Sequence, residues 1–443
     1  MDKNQLRLTP IDSVADIIKR YAAKHSWQLI IFSIIHVVIF FFIFSSIIYG
    51  KLVPGYFGFL EFWGYASNVG HGLLPFRDFA VEYPPLGIAF ITWPGLITSN
   101  PDVYYGIFVT ETLLFDLAGL FIISGLAKQI GLRLWQILTV YTLSLLAIGR
   151  IISIRYDIFP AILTALAIYV FIRGNYKIAW AIIAIGTFTK LYPIILVPIF
   201  LLYHFCHNTK REIINGIITF MVVSAAIAVP AMVISPSGFI HSFTYQTGRG
   251  LQLESIYASI LLICKSFGLT SLSINYSSGA FGITSSLANL LAQISPLLIM
   301  FSLIAIYWLF YQEQRRNTPA MSKFDALNPL DAAGIVKYSF LAILVLIITN
   351  KVLSPQYLIW LFPFIPLLAG PRKVMSWIIF IAIGVITYFI YPVFYDAIIN
   401  GAYFAVGLLF VRNILLIVLA CLVALKGREH VLKKENIVSR FDN

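Results

Sequence analysis

Residues 213–234 read IINGIITFMVVSAAIAVPAMVI, without one charged side chain. About 20 mostly apolar residues are enough for a helix to cross the hydrocarbon core of a bilayer. This stretch therefore has the length and composition of a membrane span, and Lys210 and Arg211 stand at its start. Similar stretches are read at 28–50, 103–126, 134–153, 158–172, 177–189, 192–205, 283–311, 335–349, 357–370, 374–391 and 402–425. Together they predict an all-α, polytopic helical membrane protein of about 12 transmembrane helices. Some of these stretches are short for a span and are expected to be broken or tilted. Two further apolar pieces, Pro84 to Ile97 (with Pro84, Pro85 and Pro94) and Ser255 to Leu269, read as re-entrant or interfacial.

Composition supports that reading. Of 443 residues, 60% are hydrophobic and 11% charged, whereas soluble domains carry about 25% charged residues. A soluble chain of this length needs more charge to cover its surface. The net charge of +12 does not point to nucleic acid, because the basic residues fall in short clusters between apolar runs. Most of the 31 Lys and Arg lie in one set of alternating loops, around Lys19–Lys24, Lys128–Arg133, Arg173–Lys177, Lys210–Arg211, Arg315–Lys323, Arg372–Lys373 and Lys426–Arg440. The positive-inside rule places that set in the cytoplasm. The expected organisation is a cytoplasmic N-terminal segment at 1–27, one transmembrane domain at 28–425 and a cytoplasmic C-terminal tail at 426–443. The first 27 residues are polar and basic and carry no cleavable signal. Cys206, Cys264 and Cys421 are far apart in apolar surroundings, with no metal-ligand spacing, and read as packing residues.

The two sets of loops differ in kind. The cytoplasmic ones are short and basic. The extracytoplasmic ones include two long segments, about 51–102 and 235–282, and loops on a rigid scaffold are where function concentrates. Five segments there carry chemistry. Arg77-Asp78 and Glu82 precede Pro84-Pro85, whose fixed φ stiffens the chain beside the carboxylates. Rigid carboxylates suit general acid/base work; the plain alternative is a solvated loop in which Arg77 and Asp78 pair with each other. Arg150, Arg155 and Asp157 crowd a tight junction between two spans. Lys190 and Tyr192 stand at a second tight junction, where the bland role for Lys190 is snorkelling. Arg249 lies between Gly248 and Gly250, with Glu254 close behind; glycines admit a ligand near the backbone and arginine suits phosphate. Lys351, Gln356 and Tyr357 complete the set. Charges at membrane level are expensive and mark function by default. Their position opposes the orientation preference, and an anionic lipid headgroup supplies the missing reason. Arg412 lies inside the last span, where a backbone carbonyl or an acid within the bundle is its expected partner; Glu111 and Asp116 stand at suitable depth.

The stretches HGLLPFRDFAVEYPPL (71–86), RYDIFPAIL (155–163), TKLYPIILVP (189–198), GRGLQLESIYA (248–258) and NKVLSPQYLIWLFP (350–363) resemble the membrane-embedded GT-C glycosyltransferases. The resemblance is strongest to glycosyltransferase family 87, which includes polyprenol-phosphate-mannose-dependent alpha-mannosyltransferases. It runs in order from His71 to Pro363, roughly two thirds of the chain. The resemblance implies a polyprenyl monophosphate sugar as donor and a glycolipid or glycan as acceptor. It also implies an extracytoplasmic site in the plasma membrane and inversion at the anomeric carbon. It implies a first-loop carboxylate as general base, a position held here by Asp78, with Glu82 as the competing candidate and Glu61 standing where the family often has an earlier aspartate. Lys190, Arg249 and Lys351, then Arg155, are the cations expected near the leaving phosphate, with Asp157 orienting an arginine or meeting sugar hydroxyls. No metal or other cofactor is expected. A glucose or arabinose donor, and a lipid-linked-sugar flippase or transporter, are the alternatives.

Overall fold

The computed structural model describes residues 27–43, 56–317 and 327–425. The expected terminal segments, 1–27 and 426–443, lie outside the described residues except for Trp27. The chain forms sixteen α-helices among the described residues: α1 (Trp27–Ile43), α2 (Tyr56–Gly70), α3 (Pro85–Thr92), α4 (Pro101–Ile130), α5 (Leu134–Ile148), α6 (Ile158–Ile172), α7 (Tyr176–Thr189), α8 (Val197–Cys206), α9 (Lys210–Ile234), α10 (Pro236–Gly248), α11 (Ile256–Ser266), α12 (Ser286–Asn317), α13 (Pro329–Thr349), α14 (Lys373–Tyr388), α15 (Tyr395–Ile399) and α16 (Tyr403–Ala424). Seven helical stretches, those of α4, α5, α9, α12, α13, α14 and α16, are long and apolar enough to cross a membrane.

Local chemistry sets the helix ends. Asn100 caps α4 by accepting from the N–H groups of Asp102 and Val103, with Pro101 in the first turn and Gly131 closing the helix at φ 79°. Asn328 and Pro329 start α13 in the same way. Each cap satisfies backbone N–H groups that the helix itself leaves unpaired. Along α9 the apolar side chains turn outward: Ile214, Ile217, Ile218, Met221, Val222 and Val233 are all exposed. An exposed apolar stripe of this length is costly in water and natural in lipid.

Three segments take the following forms. Stretch 357–370 holds 3₁₀ turns at Pro355–Leu361 and Ile365–Leu367 in place of an α-helix. Pro355, Pro363 and Pro366 remove the amide donors that an α-helix needs there. Stretch 84–97 is the short helix α3 followed by a 3₁₀ turn at Trp93–Leu96. The region read as a long loop, 235–282, contains α10, α11 and most of a small antiparallel sheet. Its strands are β1 (Leu251–Gln252), β2 (Ser273–Ser277) and β3 (Ala280–Thr284), in the order β1-β3-β2.

The main core is built by α4 to α8, α13 and the 355–368 segment. A second cluster joins the sheet and α11 to α15 and α16 through Leu251, Leu253, Ile283, Ile398 and Leu409. One polar cluster lies wholly inside the helical array. His36 of α1 meets Asp116 of α4 at 2.5 Å and Thr142 of α5 at 2.8 Å, and Tyr141 donates to the other oxygen of Asp116 at 3.0 Å. All four side chains are buried. His36→Leu strips one oxygen of Asp116 of its partner, with an expected loss of about 1–3 kcal/mol. Heat-induced aggregation of the detergent-solubilised protein measures it; an unchanged profile would mean that α1 is not held at this point.

Candidate functional site

Residues 74–85 fix the first-loop carboxylates in two different ways. Asp78 is held by its own neighbours: Arg77 donates to both of its oxygens, at 2.8 and 2.9 Å, and the Leu74 N–H donates at 2.8 Å. Arg77 and Leu74 draw the Asp78 carboxyl down to about 2. Both residues of this pair are exposed, so the local ion pair is the arrangement found.

Glu82 stands between anchored neighbours. Val81 is buried, and the Tyr83 ring meets Tyr156 at 5.3 Å and Phe62 at 5.7 Å, both edge-on. Pro84 is extended and Pro85 opens α3. Helix α3 seats closely on the end of α7, since a Cβ on Gly87 would come within 2.5 Å of the Thr189 carbonyl oxygen. Glu82 accepts a hydrogen bond from Tyr245, and Glu61, Arg249 and His241 lie within electrostatic reach. Burial and Glu61 push the Glu82 carboxyl up, and Tyr245 and Arg249 hold it back.

The junctions after α5 and α7 meet each other. Lys190 donates to Asp157 Oδ1 at 2.5 Å, and Trp360 Nε1–H donates to the same oxygen at 2.6 Å. The Lys190 ammonium also faces the rings of Tyr156 (4.6 Å), Trp360 (5.3 Å) and Tyr357 (5.6 Å). Trp360 in turn stacks between Tyr192 (4.2 Å) and Tyr357 (4.1 Å). Asp157 is fully buried and its Oδ2 has no hydrogen-bond partner among the described residues. Lys190 is thus bound into an aromatic cage with a counter-ion. Arg155 lies above the Phe62 ring at 5.9 Å, within electrostatic reach of Glu61, Tyr83, Tyr391, Asp157 and Glu254.

The mid-chain segment closes over this cluster. Lys351 Nζ donates to the Thr247 carbonyl at 2.8 Å, and the Gln252 N–H donates to the Lys351 carbonyl at 3.0 Å. Burial and the nearby Arg249 push the Lys351 ammonium down. Arg249 is also within reach of Tyr357 and Tyr395. Glu254 is buried; burial pushes its carboxyl up to about 7, against the pull of Arg412 and Arg155. Arg412 donates to the Glu254 carbonyl at 3.0 Å and lies 3.9 Å from its carboxylate, while Asn413 donates to the Ser255 carbonyl at 3.2 Å. The partner of Arg412 is therefore Glu254. Asp116 belongs to His36 and Tyr141, and Glu111 accepts from Trp93 Nε1 at 2.9 Å. Gln356 is half-buried, with no side-chain hydrogen bond among the described residues.

Glu82, Arg155, Asp157, Lys190, Tyr192, Arg249, Glu254, Lys351 and Tyr357 thus belong to one branched network of contacts and fields, with Arg249, Arg155 and Asp157 at its branch points. Arg77 and Asp78 stand apart as a local pair. Sequence reasoning gave no role to Trp360, which organises the cage, or to Tyr245, which opens the Arg249 segment and bonds Glu82. The tryptophan in YLIWLFP was a signal: an indole N–H needs a partner when buried. Among the described residues no group of three or more His, Cys, Asp or Glu side chains could hold a metal ion. Compared with known proteins, the chain matches no family model and no curated protein.

Proposed function

We propose that this chain is a membrane glycosyltransferase. In this reading it moves a hexose, mannose first, from a polyprenyl monophosphate donor to a glycolipid or glycan acceptor, with inversion. About 12 spans, some formed by the short or broken segments, would set the site at the extracytoplasmic face of the plasma membrane, with both termini in the cytoplasm. The observation that carries the reading is the company of Glu82: a half-buried carboxylate whose burial raises its basicity, within reach of Arg249 and one step from Arg155 and Lys351. The resemblance of the five motifs to the GT-C glycosyltransferases supports it independently.

The chemistry needs both halves of that arrangement. A base takes the proton of the acceptor hydroxyl while its oxygen attacks the anomeric carbon. The sugar–phosphate C–O bond breaks and the polyprenyl phosphate leaves with its electron pair and an added negative charge. Fixed cations meet that charge, an electrostatic contribution that is often the largest in catalysis. Arg249 and Arg155 suit this role by shape, because a guanidinium takes two phosphate oxygens at once. Lys190 is committed to Asp157, so its part is to hold the frame. Glu82 serves as the base, and Asp78, neutralised by Arg77, as a clasp for the loop.

The test uses purified protein in nanodiscs with radiolabelled polyprenyl phosphate mannose and a lipid extract as acceptor. Label should appear in a new glycosidic product, and a nucleotide sugar should not replace the donor. Label that only crosses the bilayer, with no new glycosidic bond, would point to a flippase and sink the transferase reading. Transfer from the glucose or arabinose donor alone would keep the reaction and change the sugar.

A further inference from the structure

Strands β2 and β3 pair from Ser273↔Thr284 to Ser277↔Ala280, so the two residues Ser278 and Gly279 make the turn between them. Both hold positive φ, 51° and 73°, as the tight type I′ turn of a hairpin requires. Gly279 adopts that backbone freely. Ser278 does not. Asparagine, aspartate and glycine are the usual residues at the first position of such a turn, and a Cβ there crowds its own backbone. A side chain kept at a strained position points to a task for that side chain. The Ser278 hydroxyl has one within reach: it stands at hydrogen-bonding range of the Tyr245 phenol. The approach of the turn is close, since a Cβ on Gly279 would lie 4.0 Å from the Tyr245 oxygen.

Tyr245 in turn donates to Glu82, so the hairpin tip, α10 and the first loop meet through three side chains. The base of the same sheet holds the cations. Strand β3 pairs with β1 at Leu251↔Ile283 and Gln252↔Gly282, and β1 begins two residues past Arg249. The Gln252 N–H also donates to the Lys351 carbonyl at 3.0 Å. A lone hairpin is marginally stable in water. This one is anchored, with Leu251 and Ile283 buried in the second core and the Phe281 ring against Tyr395 at 6.0 Å. We propose that the β2–β3 hairpin positions Glu82: the Ser278 hydroxyl donates to the Tyr245 oxygen and turns the phenol proton onto the Glu82 carboxylate. This rests on the transferase reading, to which it adds Ser278 and Tyr245 as positioning residues. A phenol that accepts one hydrogen bond donates the next more strongly. A carboxylate offers about four acceptor sites, so one directed donor fixes it and leaves others to take the proton of a hydroxyl.

Titration of Glu82 tests this without turnover. Glu61 of α2, His241 and Tyr245 of α10, and Arg249 face the carboxylate, and of these Tyr245 donates the hydrogen bond. The full-length protein in detergent, labelled with carboxyl-carbon-13 glutamate, is titrated by NMR, and the Glu82 signal is identified by its loss in Glu82→Gln. Taking a donor from the charged form raises the proton affinity of a carboxylate. Tyr245→Phe should raise that of Glu82 by about three- to tenfold. Ser278→Ala and Ser278→Gly should raise it in the same direction and equally. These two variants separate the hydroxyl from the backbone, because both lose the hydroxyl and only glycine relieves the left-handed strain. Ser278→Gly should therefore melt no lower than wild type while Glu82 still shifts. In the transfer assay the acid limb of the rate should move to higher pH in all three. Size-exclusion profiles check that each is folded. Titration of Glu82 at the wild-type position in folded Tyr245→Phe, or in both folded Ser278 variants, overturns the proposal. So does a shift confined to one Ser278 variant, which would belong to the backbone. The titration needs neither donor nor acceptor, so failure of the transferase reading would leave the shifts in place. Absent shifts would leave transfer intact.

Discussion

Glu82→Gln is expected to lower the rate constant for sugar transfer by about 10²–10⁴-fold, the usual contribution of a positioned base, while Asp78→Asn leaves it near wild type. The two carboxylates differ by only four positions but not in environment. Asp78 already receives three hydrogen bonds, two of them from a cation, and is drawn down to about 2. A carboxylate so well satisfied has little affinity for a hydroxyl proton. Glu82 accepts from one tyrosine, and burial and Glu61 raise it, so it binds a proton more strongly. The sign of the pH dependence follows. The base works as the carboxylate, so rate falls as pH drops through the pKa of Glu82, which lies above the ordinary glutamate value. Were Asp78 the base, no acid limb would appear until close to 2. Initial rates of wild-type protein between about pH 4 and 8 therefore separate the two, provided donor binding is saturated. A limb in that window that Glu82→Gln abolishes together with the rate supports Glu82. A flat profile, with activity lost only in Asp78→Asn, returns the role to Asp78.

That choice was not open to sequence reading, for a physical reason. Position within FRDFAVEYPP shows that two acids are near a stiff piece of chain. It does not show that Arg77 folds back on Asp78, or that Tyr245, far along the chain, reaches Glu82. The same split runs through the fold. Stretches 213–234 and 402–425 correspond closely to α9 and α16, because lipid demands a long unbroken apolar helix and the composition displays it. Stretch 357–370 has the same apolar content, but its prolines forbid the α-helix. The hairpin of β2 and β3 was missed although Ile274 and Tyr276, and Phe281 and Ile283, alternate on either side of Ser278-Gly279, because each run is only five residues long and lies in a segment read as loop. Arg412 was recognisable as a buried charge needing an oxygen partner, and depth alone offered Glu111 and Asp116. Its actual partner is a carbonyl 158 positions earlier, a contact that exists only once α11 has packed on α16.

Asp157→Ala is expected to cost about 3–5 kcal/mol of stability, since it leaves the Lys190 charge without a counter-ion in a largely buried cage. It also removes the acceptor of the Trp360 N–H, and Trp360 is the plate between Tyr192 and Tyr357. The loss is read as a fall in the melting temperature of detergent-solubilised protein. Asp157→Asn keeps an oxygen for Trp360 and removes only the charge. Paired with Lys190→Met it should regain much of the stability, because deleting both members of a buried ion pair costs far less than deleting one. The coupling from the double-mutant cycle should fall within about 0.5–3 kcal/mol, and a value near zero would mean that the pair contributes nothing. The same double variant also decides what Lys190 does. If the lysine only holds the frame, a folded Asp157→Asn/Lys190→Met protein still transfers sugar, with its KM for donor close to wild type. If Lys190 leaves Asp157 to meet the departing phosphate, the double variant is as stable but slow, and the loss lies in kcat, because that charge develops only in the transition state.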